Sequence, residues 1–576
     1  MRQWMVAAKK ADFYVIAEKF HVDPVVARII RNREVIGEKN IRIYLGGNLS
    51  DLSDPHQMKD MDRLVEILAQ KIRKQVHIRI IGDYDVDGVT SSHLFLTALR
   101  RVGAKVDVVI PHRIQDGYGL SLHLLQQAKE DGVDTILTCD NGIAAIDEIA
   151  WAKAQKMTVL VTDHHAVPFE EHEGRRTEKK SLADAVVNPH QQDCGYPYKE
   201  LCGAGVAWNV IRVLYENYDM DKREAEDLLD FVAMATVCDV MSLTGENRIL
   251  VKEGLKRIRH TKNIGLQALM QACNVQPENI SAYHFGYVLG PCVNATGRLD
   301  TARHALRLFE TGQETEAEEI ARDLVDLNQE RKELTLQGVE MAKKLCEEGG
   351  YENDPVLVLF LPDVHESIAG LIAGRIREMY NRPVFVLTRG EEGVKGSGRS
   401  TENYSMYENM CGCAELFTKF GGHPMAAGLS LPEENVEKFR RKINENCPLT
   451  VEEVCPDIHI DMAMPVGYAS TELVHQFALL EPFGKDNPSP LFADRNLSIS
   501  RMWLIGKNRN VLRMSVLSEY GQPVPVIFFG DVETLFAYFT EKFGQKEVEN
   551  ALHGRKNRRK QSISMRQKTS GATSRN

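Results

Sequence analysis

Long apolar runs are missing from this chain. In 576 residues no window reaches the roughly 18 uninterrupted apolar residues that a membrane span needs. The longest candidate, Leu228 to Leu243, is broken by Asp230 and Asp239. Lys9, Lys10 and Asp12 occupy the place where an export signal would put its apolar stretch, so the expected location is the cytoplasm, with no membrane contact. Cysteine spacing is equally uninformative for cross-links: the eleven cysteines are odd in number and contain no CxxC. Neither a disulfide framework nor a zinc ribbon is indicated, and reduced, mostly buried thiols are expected. A basic excess is lacking too. The formal charge is -10, and the stretch from His553 to Asn576 holds eight Arg and Lys with no acid, so the rest of the chain stands near -18. Any polyanion must therefore be gripped by local Arg and Lys, or through metal ions held on acids.

What is present is ordinary globular composition, 43% hydrophobic and 26% charged, at a length that suggests about four domains. There is no internal repeat of fixed period, and only the basic tail approaches low complexity. The expected organisation is a helical segment at 1–60, a large α/β domain at 61–310, a connecting helix at 311–350, a smaller α/β domain at 351–450, a β-rich domain at 451–545 and a disordered tail at 546–576. In the first α/β domain, strands are expected at His77–Ile81, Lys105–Ile110, Thr135–Cys139, Thr158–Thr162 and Ala185–Val187, alternating with helical stretches such as Val89–Arg101. That alternation is the signature of a parallel sheet with crossover helices. The Glu- and Lys-rich run Glu314–Glu348 predicts a long, partly exposed helix. Pro355–Leu361, Ile368–Tyr380 and Pro383–Leu387 predict the strand, helix and strand of the second block. Leu497–Ile505, Val511–Leu517 and Val524–Phe529 predict strands of a small β barrel. After Phe529 the sequence turns polar and then basic, so the barrel is expected to lack its last strands.

The most informative segment is Gly82-Asp83-Tyr84-Asp85-Val86-Asp87-Gly88, where three carboxylates at alternate positions follow an apolar strand. Such crowding is costly without cations. An EF-hand loop opens similarly, but its twelfth position would be Leu94 rather than a bidentate Glu, and a strand precedes it. The strand ending at Cys139 runs into Asp140-Asn141-Gly142, and the one ending at Thr162 runs into Asp163-His164-His165. The C-terminal ends of parallel strands share one edge, where ligand crevices form. A fourth acid, Asp239, interrupts an apolar run. Each cluster alone would pass for a turn or a helix cap. Together, several carboxylates with imidazole and no thiolate suit Mn²⁺ or Mg²⁺, with enough ligands for two ions.

These motifs resemble those of the DHH phosphoesterase superfamily, and within it the bacterial single-stranded-DNA-specific exonucleases. The resemblance also covers Pro111-His112-Arg113 with Gly117-Tyr118-Gly119, and Gly290 to Arg298. It extends to Lys395-Gly396-Ser397-Gly398-Arg399-Ser400 and to Gly421-Gly422-His423-Pro424-Met425-Ala426-Ala427-Gly428, which look like a DHH-associated C-terminal domain. Glu481-Pro482-Phe483-Gly484, Asn487-Pro488 and Pro490 are similar to the start of an OB-fold. The match implies hydrolysis of single-stranded DNA from a 5′ end, releasing 5′ mononucleotides in recombination and repair, with Mn²⁺ or Mg²⁺, two ions in number. By position it implies Asp85, Asp87, Asp140, His164 and Asp239 as metal ligands, with Asp140 between the ions, and Asp83 and Asp163 as ligands or as groups that orient them. His165 would touch the phosphate or move a proton, or else make a structural hydrogen bond. One departure is Ile81, at a position where many members carry a His ligand.

Asn294 and Arg298, then Ser397, Gly398 and Arg399, then Gly422 and His423, are expected to bind substrate phosphate. The alternative for Arg298 is an ion pair with Asp300. His365 is expected to cap a helix. Trp503, Lys507 and Arg509 are candidates for a single-strand groove. The expected partners are single-stranded DNA and, beyond it, a single-strand-binding protein and a helicase, with the chain acting as a monomer. Two other functions compete: a phosphodiesterase for short oligonucleotides or cyclic dinucleotides, which needs no OB-fold, and a non-catalytic scaffold, which predicts missing ligands.

Overall fold

The computed structural model describes residues 4–553 except 114–115, 117–118, 173–174, 391–392, 455–456 and 507–508. Gly117, Tyr118, Lys507 and the basic stretch from 554 onward thus lie outside the described residues. Two compact units emerge. One consists mainly of Arg42–Pro456 with Pro482–Pro488, and the other of Gln3–Ile41, Asp457–Glu481 and the residues from Ser489 on.

The first unit is built on five parallel strands: β1 (Ile78–Ile81), β2 (Val106–Val109), β3 (Thr135–Cys139), β4 (Thr158–Thr162) and β5 (Ala185–Val187). β1 and β3 are buried throughout, which is why they read as near-continuous apolar runs. Arg79 is the exception, and its guanidinium is neutralised by Asp107 at 2.7 Å and Asp131 at 2.8 Å. The strand order is β2-β1-β3-β4-β5. After β1 the chain crosses to β2 on one side, and it then returns to lay β3 on the other, so the connections diverge between β1 and β3. That divergence opens a crevice at the C-terminal ends of these two strands.

Helix Val86–Arg101 follows β1 and is buried along almost its whole length. Helices Gly203–Asn217 and Leu229–Cys238 pack against it. Leu229–Cys238 carries a second buried acid, Asp230, whose oxygens accept from the Phe231 amide at 2.8 Å and the Thr261 hydroxyl at 2.6 Å. Burial outweighs these bonds and pushes the carboxyl up from 3.8 to about 6. Because the folded value lies above the unfolded one, this group stabilises the protein fully below pH 3.8, and that contribution is lost as pH rises through about 6. Asp230→Asn keeps the shape and removes the titration. Relative to the parent, it is expected to gain roughly 2 kcal/mol between pH 4 and pH 7.5. Urea unfolding of both proteins at the two pH values checks this, and parallel profiles would refute it.

The helix Glu314–Glu348 forms as the charge pattern suggests, 35 residues long and so about 52 Å. Ala317, Ile320, Ala321 and Leu324 sit in the core of the parallel-sheet domain, while Val339, Ala342 and Cys346 sit in the core of the next. That second core covers a five-stranded sheet in the order Lys419–His423, Ala426–Leu431, Gly393–Arg399, Val384–Gly390, Leu357–Phe360. His365 caps the helix Glu366–Tyr380, accepting from the Ser367 amide.

In the second unit, Ser498–Ile505, Val511–Leu517 and Pro523–Phe529 form a three-stranded antiparallel sheet. Two helices, Val532–Phe543 and Gln545–His553, follow instead of further strands. Among the described residues this sheet does not close into a barrel. The physical reason is the spacing of Val532, Leu535, Phe536 and Phe539, which lays one helical face over Met502 and Leu512. The N-terminal segment is likewise not all helix: Trp4–Val6 forms a strand parallel to Ile458–Ile460. Its β-forming residues find a partner far along the chain, which local pattern does not reveal.

Candidate metal centre

The turn after β1 is tight. A Cβ on Gly88 would lie 2.4 to 2.5 Å from the Asp83 backbone, so only glycine lets the chain fold back on itself there. Asp85 caps the following helix, accepting from the Gly88 amide at 3.0 Å. Asp87 lies in the first helical turn, buried, and its two oxygens accept from the amides of Gly203 (2.6 Å) and Ala204 (2.7 Å). After β3, Asp140 adopts a left-handed backbone with φ +61°. Asn141 then ties the two strand ends together by donating to the carbonyls of Ile81 (3.1 Å) and Cys139 (2.9 Å). Asp239 ends helix Leu229–Cys238, where the helix dipole disfavours a negative charge. Val240, just beyond, is β-branched yet has φ +55°. Strain of this kind persists where function holds it in place.

These groups converge. Ligand atoms of Asp83, Asp85 and Asp140 lie within 4.8 Å of one another; so do those of Asp87, His164 and Asp239, and those of Asp140, His164 and His165. His164 Nε2 is 3.0 Å from Asp140, 3.6 Å from Asp87 and 3.6 Å from Asp239. Burial, with the neighbouring carboxylates, holds Asp83, Asp140 and Asp239 well above the usual carboxylate range and raises Asp85. Burial also lowers His164, leaving a neutral imidazole. Oδ1 of Asp83 and Nε2 of His164 are shielded from solvent without a well-formed hydrogen bond. The nearby Cys202 and Cys238 thiols are pushed up by burial and stay protonated. Carboxylates and a neutral imidazole, crowded and under-bonded, with no thiolate, are a donor set that fits Mn²⁺ or Mg²⁺.

Asp163 stands outside the three groupings. One of its oxygens accepts from the amides of His164 (2.7 Å) and His165 (3.0 Å) and pairs with His165 Nδ1 (2.7 Å), while the other accepts from Ile143 (2.9 Å). Burial alone would raise Asp163, but the hydrogen bond and charge of His165 outweigh it and the carboxyl is lowered. Burial would correspondingly lower His165, yet Asp163 lifts it to about 9. An imidazolium held by a carboxylate results. Ile81 points into an apolar core cluster with Leu125, Ile136 and Val159, and it is Asp83 that joins Asp85 and Asp140.

A cleft of about 510 Å³ adjoins this loop, lined among others by Tyr84, Arg113, Ser367, Lys395, Ser397 and Lys419. Arg113 stacks over the Tyr84 ring at 4.8 Å. Arg298 is not paired with Asp300; it donates to the Ser367 carbonyl at 2.6 Å. Burial and the charges of Arg113, Arg331 and Arg399 lower its pKa. Burial and Arg113 lower Arg399 in the same way. Among the described residues none of Arg113, Arg298, Arg331 and Arg399 forms an ion pair. The remaining expected phosphate groups are placed differently. Asn294 accepts from the Val86 amide at 3.1 Å and so braces the acidic loop. A Cβ on Gly398 would strike Met406 and Phe385, so that glycine serves core packing. Gly422 and His423 lie on an edge strand, exposed, and do not line the cleft. Trp503 and Arg509 lie in the second unit, Trp503 on the strand Ser498–Ile505 and Arg509 with a left-handed backbone at φ +52°.

Sequence reasoning missed Arg331, one cation among many on the long helix, and the Gly203–Ala204 amides that hold Asp87. The latter carry a signal only in hindsight, as a Gly-rich helix start. A Cβ on Gly203 would sit 2.6 Å from Asp140 Cβ and 2.9 Å from its Oδ1. Gly203→Ala is therefore expected to push Asp140 aside and to weaken Mn²⁺ binding roughly 10- to 100-fold, the usual cost of disturbing a group that supports a ligand. Calorimetric titration with Mn²⁺ measures it, and parental affinity would contradict the packing argument.

Three family models match in chain order: DHH family, N-terminal domain, at residues 77–236; DHHA1 domain at 353–447; and RecJ OB domain at 460–562. The chain is 34% identical over 518 residues to the single-stranded-DNA-specific exonuclease RecJ of Haemophilus influenzae, covering 86% of this chain and 88% of that one. It is 33% identical over 511 residues to the RecJ of Bacillus subtilis, covering 88% of this chain but 63% of that longer one. The fold is similar to that of RecJ from Thermus thermophilus in complex with Mn²⁺, with a TM-score of 0.77 and 27% identity, covering 92% of this chain and 74% of that one. The same protein in complex with Mg²⁺ matches with a TM-score of 0.71 and 26% identity, covering 92% and 73%.

Proposed function

We propose that this chain, which belongs to the RecJ family of single-stranded-DNA-specific exonucleases, hydrolyses single-stranded DNA from its 5′ end and releases 5′ mononucleotides, in recombination and repair. The observation that carries this reading is the pairing, at one topological switch point, of two ligand groupings within reach of Asp140 with an arginine cluster that has no carboxylate partners among the described residues. Asp83, Asp85 and Asp140 would hold one Mn²⁺ or Mg²⁺, and Asp87, His164 and Asp239 the other, with Asp140 between them. Ions bound there supply positive charge for the scissile phosphate and acidity for an attacking water.

The protein's own groups do the rest. Gly203 and Ala204 fix Asp87, Asn141 fixes the two strand ends, and Asp163 fixes His165. As an imidazolium, His165 can donate a hydrogen bond to a phosphate oxygen or a proton to the leaving 3′ oxygen. Arg113, Arg298 and Arg399, with Ser397, would bind the terminal 5′-phosphate, which sets the direction of attack. The same reading places the enzyme in the cytoplasm as a monomer, supplied with single strands by a helicase and a single-strand-binding protein.

A phosphodiesterase for short oligonucleotides would use the same centre. The OB-domain match favours the longer substrate, because that domain's usual role is to track a single strand. Incubation with Mn²⁺ and end-labelled single strand, duplex, RNA and dinucleotide separates the two. Stepwise mononucleotide release from the single strand is expected. Hydrolysis of dinucleotides alone would overturn the proposal.

A further inference from the structure

Cys273 and Cys292 stand 19 residues apart in the chain, yet their sulfurs are 3.7 Å from each other. A buried cysteine is usually inert packing, and most of the described thiols are buried. This pair differs. Cys292 is 2% exposed, but Cys273 is only half-buried and ends the helix Ile264–Ala272, where a small solute can reach it. Their surroundings are polar and cationic. The Asn328 amide donates to Cys292 Sγ at 3.3 Å, and the charge of Lys332, one turn farther along the same helix, acts on both thiols. The hydrogen bond with Cys292 lowers the Cys273 thiol, and Lys332 adds to it against burial; the same bond, with burial, raises Cys292. A thiol made acidic beside a second thiol is the usual arrangement of a cysteine that oxidises reversibly.

Cys292 belongs to the helix Gly290–Leu299, which is packed without slack against both halves of the metal centre. Near its start, a Cβ on Gly290 would strike the sulfur of Cys238, the residue before Asp239. Near its end, a Cβ on Gly297 would strike the carbonyl of Tyr84, between Asp83 and Asp85. Midway, Asn294 accepts from the Val86 amide at 3.1 Å. The helix is entered through a π-turn, Phe285–Leu289, and Cys292 bonds to the Val288 carbonyl of that turn at 3.3 Å. A π-turn interrupts the regular ladder, so this side can shift. The Cys273 side is tied: Leu266, Leu269 and Met270 sit in the core, and the Val275 amide closes the helix end on the Met270 carbonyl at 2.8 Å.

We propose that Cys273 and Cys292 form an oxidisable dithiol whose disulfide loosens the metal centre. The oxidant is a peroxide. The Cys273 thiolate attacks hydrogen peroxide and the O–O bond breaks; one oxygen stays on sulfur as a sulfenic acid, and the other leaves with a proton as water. Cys292 then gives up its proton and attacks that sulfur, and the sulfenic oxygen departs as a second water. The two thiols lose two electrons and two protons in all, and the peroxide gains them. To bond, the sulfurs close from 3.7 Å to about 2.05 Å, and Cys292 releases the Val288 carbonyl. The shift falls on the helix Gly290–Leu299 and strains the Asn294 brace. In a reducing compartment such a disulfide is transient, as redox-sensing ones are. The closure stands on geometry alone; its effect rests on the reading of the metal centre given above.

To test this, the full-length protein is treated with hydrogen peroxide and desalted, and its free thiols are capped with N-ethylmaleimide. No Lys or Arg lies between Lys262 and Arg298, so trypsin leaves both cysteines in one fragment. That fragment is expected to be uncapped and two hydrogens lighter than its reduced form. Calorimetric titration of the oxidised protein is expected to show Mn²⁺ affinity lowered roughly tenfold or more, the scale on which groups that support ligands act. Hydrolysis of single-stranded DNA falls with it, and dithiothreitol restores both. Cys273→Ser and Cys273→Ala bind Mn²⁺ like the reduced parent and do not respond to peroxide. A capped fragment after peroxide, or a closed pair with parental Mn²⁺ affinity, would overturn the proposal. So would a loss that persists in the Cys273 variants, which would point to another thiol such as the exposed Cys411. If the reduced parent binds Mn²⁺ but cuts no single strand, the exonuclease reading falls, while fragment mass and titration still decide the dithiol.

Discussion

Asp140→Asn abolishes hydrolysis of single-stranded DNA, by at least about 1000-fold or roughly 4 kcal/mol of barrier, while the protein remains folded. Asp140 lies within ligand range of Asp83 and Asp85 on one side and of His164 and His165 on the other. Its loss therefore damages both proposed ion positions at once. The fold is expected to tolerate the change for two reasons. Asparagine accepts the left-handed backbone that Asp140 adopts at φ +61°. Removing one member of a buried carboxylate cluster also relieves repulsion from Asp87, Asp85, Asp239 and Asp83, all of which act on Asp140 in addition to its burial. Thermal melting followed by circular dichroism, with and without Mn²⁺, separates folding from chemistry. The metal-free variant should melt no lower than the parent, and Mn²⁺ should raise its melting temperature less. Normal turnover by this variant would end the metal assignment.

Arg399→Ala reduces kcat/KM on 5′-phosphorylated strands by roughly 100-fold, the loss expected when charge-assisted hydrogen bonds worth about 1.5–3 kcal/mol each disappear. On 5′-hydroxyl strands the effect is a few-fold. The distinction follows from electrostatics. Arg399 is held beside Arg113 in largely buried surroundings, and Gly370 makes room for it, since a Cβ there would meet its guanidinium at 2.9 Å. Cations kept together without carboxylates gain most from an arriving dianion. Lysine at 399 should recover little, because an ammonium cannot reproduce the planar fork. The variant should melt at or above the parent, as one like charge is gone. Equal losses on both 5′ ends would show that Arg399 serves the fold rather than the terminal phosphate.

Much of this was legible beforehand. The strand positions were, because a strand buried on both faces leaves a compact apolar run, and β1, β3 and β4 each run straight into their acidic or imidazole cluster. The long helix was legible from its charge pattern. Less legible were roles that depend on what a side chain meets. Arg298 was open to a local pair with Asp300, and only the fold brings Arg113, Arg331 and Arg399 around it. Asn294 read as a phosphate ligand and is a brace for the acidic loop. Gly398 read as room for an anion and is room for Met406 and Phe385. Val532 to Phe539 carried a helical spacing that the expectation of a barrel obscured.

The sequence alone determined the chemistry available at each strand end, since which residue follows which strand is a property of the covalent chain. Only the tertiary structure decided which ends adjoin: the order β2-β1-β3-β4-β5 sets Asp83, Asp85 and Asp140 side by side, and the fold brings in Asp239 from a helix end and gathers Arg113 from a loop, Arg298 and Arg331 from helices and Arg399 from a strand. Like charges gather this closely only when the burial of the surrounding apolar core stabilises the fold enough to offset their repulsion, and that balance belongs to the whole domain rather than to any stretch of its sequence.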